Sequence, residues 1–237
     1  MQKQLLPILL VLLCLLAGYP TSASAISAPK LLESESRPQL TDLVTMQLND
    51  LSLAEKVAQL FILDANMAGK ALPAPVGGYI LFSRHTPDKA ATLSLTRQLR
   101  YGSPRLPPFI AVDQEGGRVA RLAFISQLPS ARELAALRPE TVAKVGWLLG
   151  QELLALGFNL NFAPVVDVAT RSENPVIGDR AFSSDAVTVA IQGAAFINGL
   201  QSAGIAATAK HFPGHGDTRT DSHLTLPIID HSRDRLE

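Results

Sequence analysis

The stretch TVAKVGWLLGQELLALGFNLNFAPVV, residues 141–166, carries the fold in miniature. Val142, Val145, Leu149 and Leu153 recur at helical spacing and predict a helix over 141–156 with one apolar face. Gly157 supplies the left-handed residue that ends a helix. The segment from Phe158 to Val166 then reads as a strand region. The same step returns at DAVTVAIQGAAFINGLQSAGIAATAKH, residues 185–211. A helix over 185–203 stops at Gly204, and Ile205 to Ala209 is a strand running into Lys210-His211.

Working outward, the pattern keeps alternating. Ser52-Leu53-Ala54-Glu55 is a capping box, with Val57, Leu60 and Phe61 behind it at helical spacing, so a helix is predicted from Ser52 to Leu63. Residues 77–82 and 109–113 are short apolar runs read as buried strands, and Asp88 to Leu99 lies between them as a helix. Continuous apolar strands alternating with helices predict an α/β fold with a parallel sheet. Polar residues collect just after the strands: Ser83-Arg84-His85, Asp113-Gln114-Glu115, Asp167 and Lys210-His211. Sites in parallel α/β folds form at that carboxyl edge. Alternation alone does not separate an open sheet from a barrel. Four strand–helix units are countable, whereas an eight-fold barrel takes roughly 250 residues. Either the sheet is small and open, or the chain is the front part of a longer domain.

Composition narrows the function. The 237 residues are 47% hydrophobic and 18% charged, an ordinary globular balance. The 21 Lys and Arg match 21 Asp and Glu, which argues against a nucleic-acid partner, since neutralising many phosphates calls for a basic excess. The single cysteine, Cys14, permits no intramolecular disulfide and no cysteine-based zinc site. Residues 1–25 read as a signal peptide: Lys3, an apolar run from Leu5 to Leu16, then Ala23-Ser24-Ala25 for cleavage. The expected location is secreted or periplasmic, with no stable membrane insertion after cleavage, because the run is short for a spanning helix. Acylation of Cys14 is the other reading, and Leu12-Leu13 fit it poorly. Residues 26–50, with Pro29 and Pro38, are expected to be a tether.

The densest chemistry lies in KHFPGHGDTRTDSH, residues 210–223, which holds three of the five histidines. Pro213, Gly214 and Gly216 forbid a regular helix, so this is a loop after a strand. Three readings stay open for it. It can be a solvated polar loop. It can hold a metal through His211, His215, Asp217 and His223, although a His-x-x-x-His pair usually sits on a helix. It can do acid–base work, with Asp221 two residues from His223 to orient its imidazole. Upstream, AVDQEGGRVAR (111–121) puts a carboxylate at a strand end before a Gly-Gly turn and two arginines. That suits gripping sugar hydroxyls or, equally, a structural ion-pair network. NPVIGDRAF (174–182) presents Arg180 on a turn.

AVDQEGGRVAR, NFAPVVDV, NPVIGDRAF and KHFPGHGDTRTDSH, in this order, resemble glycoside hydrolase family three, and its bacterial beta-N-acetylhexosaminidase branch in particular. The resemblance covers the chain from about Leu51 onward and implies a (β/α)8 TIM-type barrel, here cut after about four units. It also implies a retaining double displacement on terminal N-acetylglucosamine, with no cofactor or metal, on peptidoglycan- or chitin-type saccharides. By motif position the acid/base is His223 with Asp221 as its partner, and Asp113, Arg121, Arg180, Lys210 and His211 bind the terminal sugar. The family's nucleophile is an aspartate on a later strand, and no segment here matches its motif. A catalytically inactive carbohydrate-binding protein is the alternative. A metal-assisted hydrolase and a beta-glucosidase are further ones, the last disfavoured by the Asp221–His223 step.

Overall fold

Five short strands, all parallel, pair in the order in which the chain makes them. In the computed structural model, which describes residues 37–72, 74–102, 106–229 and 231–236, they are β1 (Ile62–Asp64), β2 (Gly78–Leu81), β3 (Phe109–Val112), β4 (Leu160–Asn161) and β5 (Ala206–Ala207). The register runs Asp64↔Ile80, Ile80↔Ala111, Ala111↔Leu160 and Leu160↔Ala206. Each crossover steps to the next position without reversing. A doubly wound sheet reverses its strand order at a switch point. Successive stepping is instead the progression of a (β/α) barrel, of which these strands form an arc.

The chain divides into two units, one ending at Asp50 and one beginning at Leu51. The expected signal peptide and Cys14 lie outside the described residues. The expected tether holds helix α1, Arg37–Asn49. Pro38 does not break it, because it sits in the first turn, where an N–H would have no intrahelical acceptor.

In the second unit, α2 (Leu53–Ala58) carries the Ser52 capping box but stops well before Leu63. The carbonyls of Ala58 and Phe61 accept from Gly77 and Gly78 N–H, which draws the chain into β1. The helical spacing was misleading here: Leu60 and Phe61 are exposed. Helix α3 (Lys89–Tyr101) begins on Asp88, whose side chain caps Ala91 N–H. A short helix α4 (Ala131–Leu134), not foreseen, starts on a Ser130–Glu133 capping box. Helices α5 (Pro139–Ala155) and α6 (Ala186–Ser202) end ahead of Gly157 and Gly204, both at positive φ, as their sequences demand. Helix α7 (Arg233–Leu236) closes the described residues. Among these residues no helix is long and apolar enough to cross a membrane.

The predicted strand over 158–166 pairs regularly only at Leu160–Asn161. Pro164 has no N–H to donate and interrupts the ladder. A single bridge, Val165↔Lys210, resumes it and seats Lys210 beside the end of β4. The Ala163–Pro164, Lys210–His211 and Phe212–Pro213 peptides are cis.

The core lies between the sheet and the helices. Leu81, Ile110, Val112, Leu149, Leu153, Phe158, Phe196, Leu200 and Ile205 are all almost wholly buried there. Each is worth about 1.5–3 kcal/mol of burial. Helices α5 and α6 approach closely at glycines: a Cβ on Gly199 would stand 2.1 Å from the Ala143 carbonyl oxygen.

Candidate active site

The carboxyl ends of β3, β4 and β5 meet in one run of ion pairs. Asp113 and Glu115 follow β3, Asp167 follows β4, and Lys210-His211 follow β5. Lys210 Nζ lies 2.8 Å from Asp113 Oδ1 and 2.5 Å from Glu115 Oε1. Arg180 comes from a 3-10 turn at Gly178–Arg180. It grips Glu115 with both Nε and Nη2, each at 2.8 Å. Its Nη2 is 3.4 Å from His211 Nε2. His211 Nδ1 in turn faces Asp167 Oδ2 at 2.6 Å. The run therefore reads Asp113–Lys210–Glu115–Arg180–His211–Asp167.

The charges in this run set one another. Burial pushes the Glu115 carboxyl up, but hydrogen bonds and charge from Arg180 and Lys210 outweigh it and hold the group below its ordinary value. Asp167 behaves alike: burial raises it, and the His211 ring and the His215 N–H together bring it down. For Arg180, burial works against the charge and Glu115 more than restores it. An ionised Asp167 makes Nδ1 the protonated nitrogen of a neutral His211 ring. Its Nε2 is then the acceptor and faces a donor on Arg180.

Buried polar side chains hold this frame. Asn161 exchanges two hydrogen bonds with the Gln114 backbone, 3.0 Å from its N and 2.9 Å to its O. Gln114 Oε1 accepts from the N–H groups of Arg121 and Leu122, which places Arg121 beside the β3 edge. The Arg121 Nε is buried with no hydrogen-bond partner among the described residues. The other arginine of that motif, Arg118, serves structure: it donates to the carbonyls of Val176 and Ile177 and pairs with Asp179.

The predicted dyad is formed. His223 Nδ1 is 2.7 Å from Asp221 Oδ1, and the His223 backbone N–H donates to the same oxygen at 2.8 Å. The backbone bond and then the ring bond hold Asp221 below its ordinary value. The His223 side chain is 78% exposed, so a ligand can reach it.

The residues of the metal reading are not gathered. Among the described residues no three His, Cys, Asp or Glu side chains converge on a metal position. His211 pairs with Asp167, Asp217 with Arg171 and His231, and His223 with Asp221, while His215 contacts the hydroxyls of Thr218 and Ser222. Thus Asp113, Arg180, Lys210 and His211 come together as expected, and His223 joins Asp221 in the loop beyond them. Sequence reasoning missed Glu115, the shared counter-ion of Arg180 and Lys210, gave Asp167 no working role, and gave His215 only that of a candidate metal ligand. The signal for Glu115 and Asp167 was their place just after strands β3 and β4.

Comparison with known proteins identifies the family. The profile described as the glycosyl hydrolase family 3 N terminal domain matches residues 52–237. Beta-hexosaminidase A of Pseudoalteromonas piscicida is 42% identical over 171 residues, covering 68% of this chain and 29% of that protein. Beta-hexosaminidase of Tolumonas auensis is 43% identical over 166 residues, covering 68% of this chain and 49% of that protein. The crystal structure of NagZ from Neisseria gonorrhoeae in complex with N-trifluoroacetyl-D-glucosamine superposes with a TM-score of 0.64 at 37% identity, over 68% of this chain and 50% of that one. The chain therefore spans half or less of the length of these relatives. The chain belongs to glycosyl hydrolase family 3, as a part of its N-terminal, TIM-type barrel domain.

Proposed function

We propose that this chain supplies the sugar-binding edge and the acid/base of a retaining beta-N-acetylhexosaminidase. Its substrates are terminal N-acetylglucosaminides of peptidoglycan or chitin type. The observation that carries the reading is the Asp221–His223 pair, 2.7 Å apart and open to solvent, on the loop that follows the β5 edge. Asp221 stays ionised and fixes the proton of His223 on Nδ1. When Nε2 is protonated as well, the ring gives that second proton to the leaving oxygen, and the neutral ring, still holding the Nδ1 proton against Asp221, later takes one back from the water that hydrolyses the glycosyl-enzyme. Asp113 and Nε2 of His211 offer acceptors to sugar hydroxyls, while Lys210 and Arg180 offer donors. An acceptor on the sugar also gives the buried Arg121 Nε the partner it lacks. The resemblance assigns the nucleophile to an aspartate on a later strand, and no residue of this chain is given that role. The segment 1–25, read as a signal peptide, supports export to the periplasm or beyond.

The test is the hydrolysis of a β-N-acetylglucosaminide and a β-glucoside by the full-length gene product, with and without His223→Asn. The expected result is preference for the N-acetylglucosaminide and a roughly 10²–10⁴-fold loss in the variant with a poor leaving group. Unchanged turnover in the variant sinks the assignment of His223. Binding of N-acetylglucosamine without any hydrolysis by the wild type favours the carbohydrate-binding reading instead.

A further inference from the structure

The dyad has little packing of its own. The His223 side chain is mostly exposed, and among the described residues its ring hydrogen-bonds to Asp221 alone. The only residue between them is Ser222, and its hydroxyl lies 3.0 Å from Nε2 of His215. His215 is firmly placed. Its backbone N–H donates to Asp167 Oδ1 at 2.6 Å, on a carboxylate whose side chain is wholly buried at the end of β4. Its carbonyl accepts from Asn174 Nδ2 at 2.9 Å.

The proton positions on the ring follow from its neighbours. Thr218 has one hydroxyl proton and donates it to the His215 carbonyl at 2.9 Å. Thr218 Oγ1, 3.0 Å from His215 Nδ1, is then an acceptor, so Nδ1 carries the ring proton. In that neutral ring Nε2 is the acceptor and the Ser222 hydroxyl is the donor. The bonds run in one direction, from Ser222 through the ring to Thr218 and the backbone. They connect the exposed loop to the buried Asp167, which also holds His211 of the proposed sugar edge. A second tie closes the loop from behind: His231 Nε2 is 2.6 Å from Asp217 Oδ2, and Arg171 Nε is 3.1 Å from Asp217 Oδ1.

We propose that His215 is a positioning residue for His223, acting through the Ser222 hydroxyl to set where the acid/base stands relative to the bound sugar. The inference rests on the function proposed above. His215 touches no reacting atom. It shares Asp167 with His211, so one buried carboxylate references both the sugar contact and the acid/base loop. Small misplacements of a catalytic group cost disproportionately in rate.

The test separates positioning from general stability. The full-length protein is assayed on two β-N-acetylglucosaminides, one with an alkyl leaving group and one with a dinitrophenyl leaving group that departs without protonation. His215→Phe keeps the ring volume and removes both nitrogens. The kcat/KM for the alkyl substrate is expected to fall roughly 10- to 100-fold, and that for the dinitrophenyl substrate to stay within about twofold. Ser222→Ala is expected to reproduce this split, and Ser222→Thr, which keeps the hydroxyl, to recover most of the loss. If His215→Phe does not fold, the exposed Ser222 pair carries the test alone. Equal losses on both substrates, or no loss on either, overturn the proposal. A wild type inactive on both substrates is a failure of the functional reading instead. Amide exchange over residues 217–225 then decides: roughly tenfold faster exchange in Ser222→Ala supports the tether, and unchanged exchange overturns it.

Discussion

Arg180 meets Glu115 as a fork on a fork, with two parallel N–H···O contacts of 2.8 Å between side chains 12% and 7% exposed. Two parallel charge-assisted bonds fix the plane of the guanidinium as well as its position. Glu115 also takes Lys210, so a single carboxylate answers two cations. Removing it leaves both without their shared partner in a largely buried place. Glu115→Ala is therefore expected to cost about 3–5 kcal/mol of stability, as broken buried pairs do. Urea unfolding of the variant measures this, and a loss below about 1 kcal/mol contradicts it.

Acid should weaken the fold through the same groups. Asp167 and Glu115 have their folded-state values lowered from 3.8 and 4.5 respectively. A depressed carboxyl stabilises the folded state above its unfolded pKa, and the contribution fades as pH falls through the folded one. Stability should thus hold near neutrality and drop below about pH 4, as these carboxylates take up protons. Asp167→Asn should start lower at pH 7 and fall less steeply with acid. Chemical unfolding at a series of pH values from 7 to 3 reads both slopes. Parallel slopes would remove Asp167 from the account.

These pairs also show what a linear reading can and cannot reach. Caps and stops are local, so the Ser52 capping box and the stops at Gly157 and Gly204 were legible and act as their residue types predict, while Asp88 and Asp185, read as the first residues of their helices, are the N-caps. Motif resemblance brought Asp113, Arg180, Lys210 and His211 to one edge. The Glu115–Arg180 pair spans 65 residues and the Asp167–His211 pair 44, and no local spacing encodes such partners. Strand β1 escaped notice because Leu60 and Phe61 fit a helical face, while the decision was made by Gly77 and Gly78 N–H groups across the sheet. Helix α1 escaped because Pro38 reads as a breaker anywhere but in a first turn.

The glycine seam between α5 and α6 makes a third prediction, one that involves no site residue. A Cβ on Gly199 would lie 2.1 Å from the Ala143 carbonyl oxygen and 2.8 Å from Trp147 N, both backbone atoms that cannot rotate away. The helices must separate to admit it, loosening the contacts around Phe196 and Leu200. Gly199→Ala is expected to destabilise by about 1–3 kcal/mol, even though alanine is the better helix former. Thermal unfolding checks the sign: a rise in Tm would mean that helix propensity outweighs the clash.

Arg121 offers the sharpest separation between binding and stability. Its backbone N–H is held by Gln114 Oε1 at 2.7 Å, so the residue is placed without help from its guanidinium. The Nε is buried with no acceptor among the described residues, an arrangement that costs free energy in the empty protein. A sugar hydroxyl supplying that acceptor regains the cost on binding. Arg121→Met keeps most of the side-chain length and removes the unmet donor. Its stability should match or exceed that of the wild type, by up to about 1 kcal/mol. Its affinity for N-acetylglucosamine should fall by roughly tenfold or more, as expected for one lost charge-assisted hydrogen bond. Calorimetric titration and urea unfolding of the same preparation give the two numbers. A variant that loses stability while keeping affinity would make Arg121 a structural residue and remove it from the sugar edge.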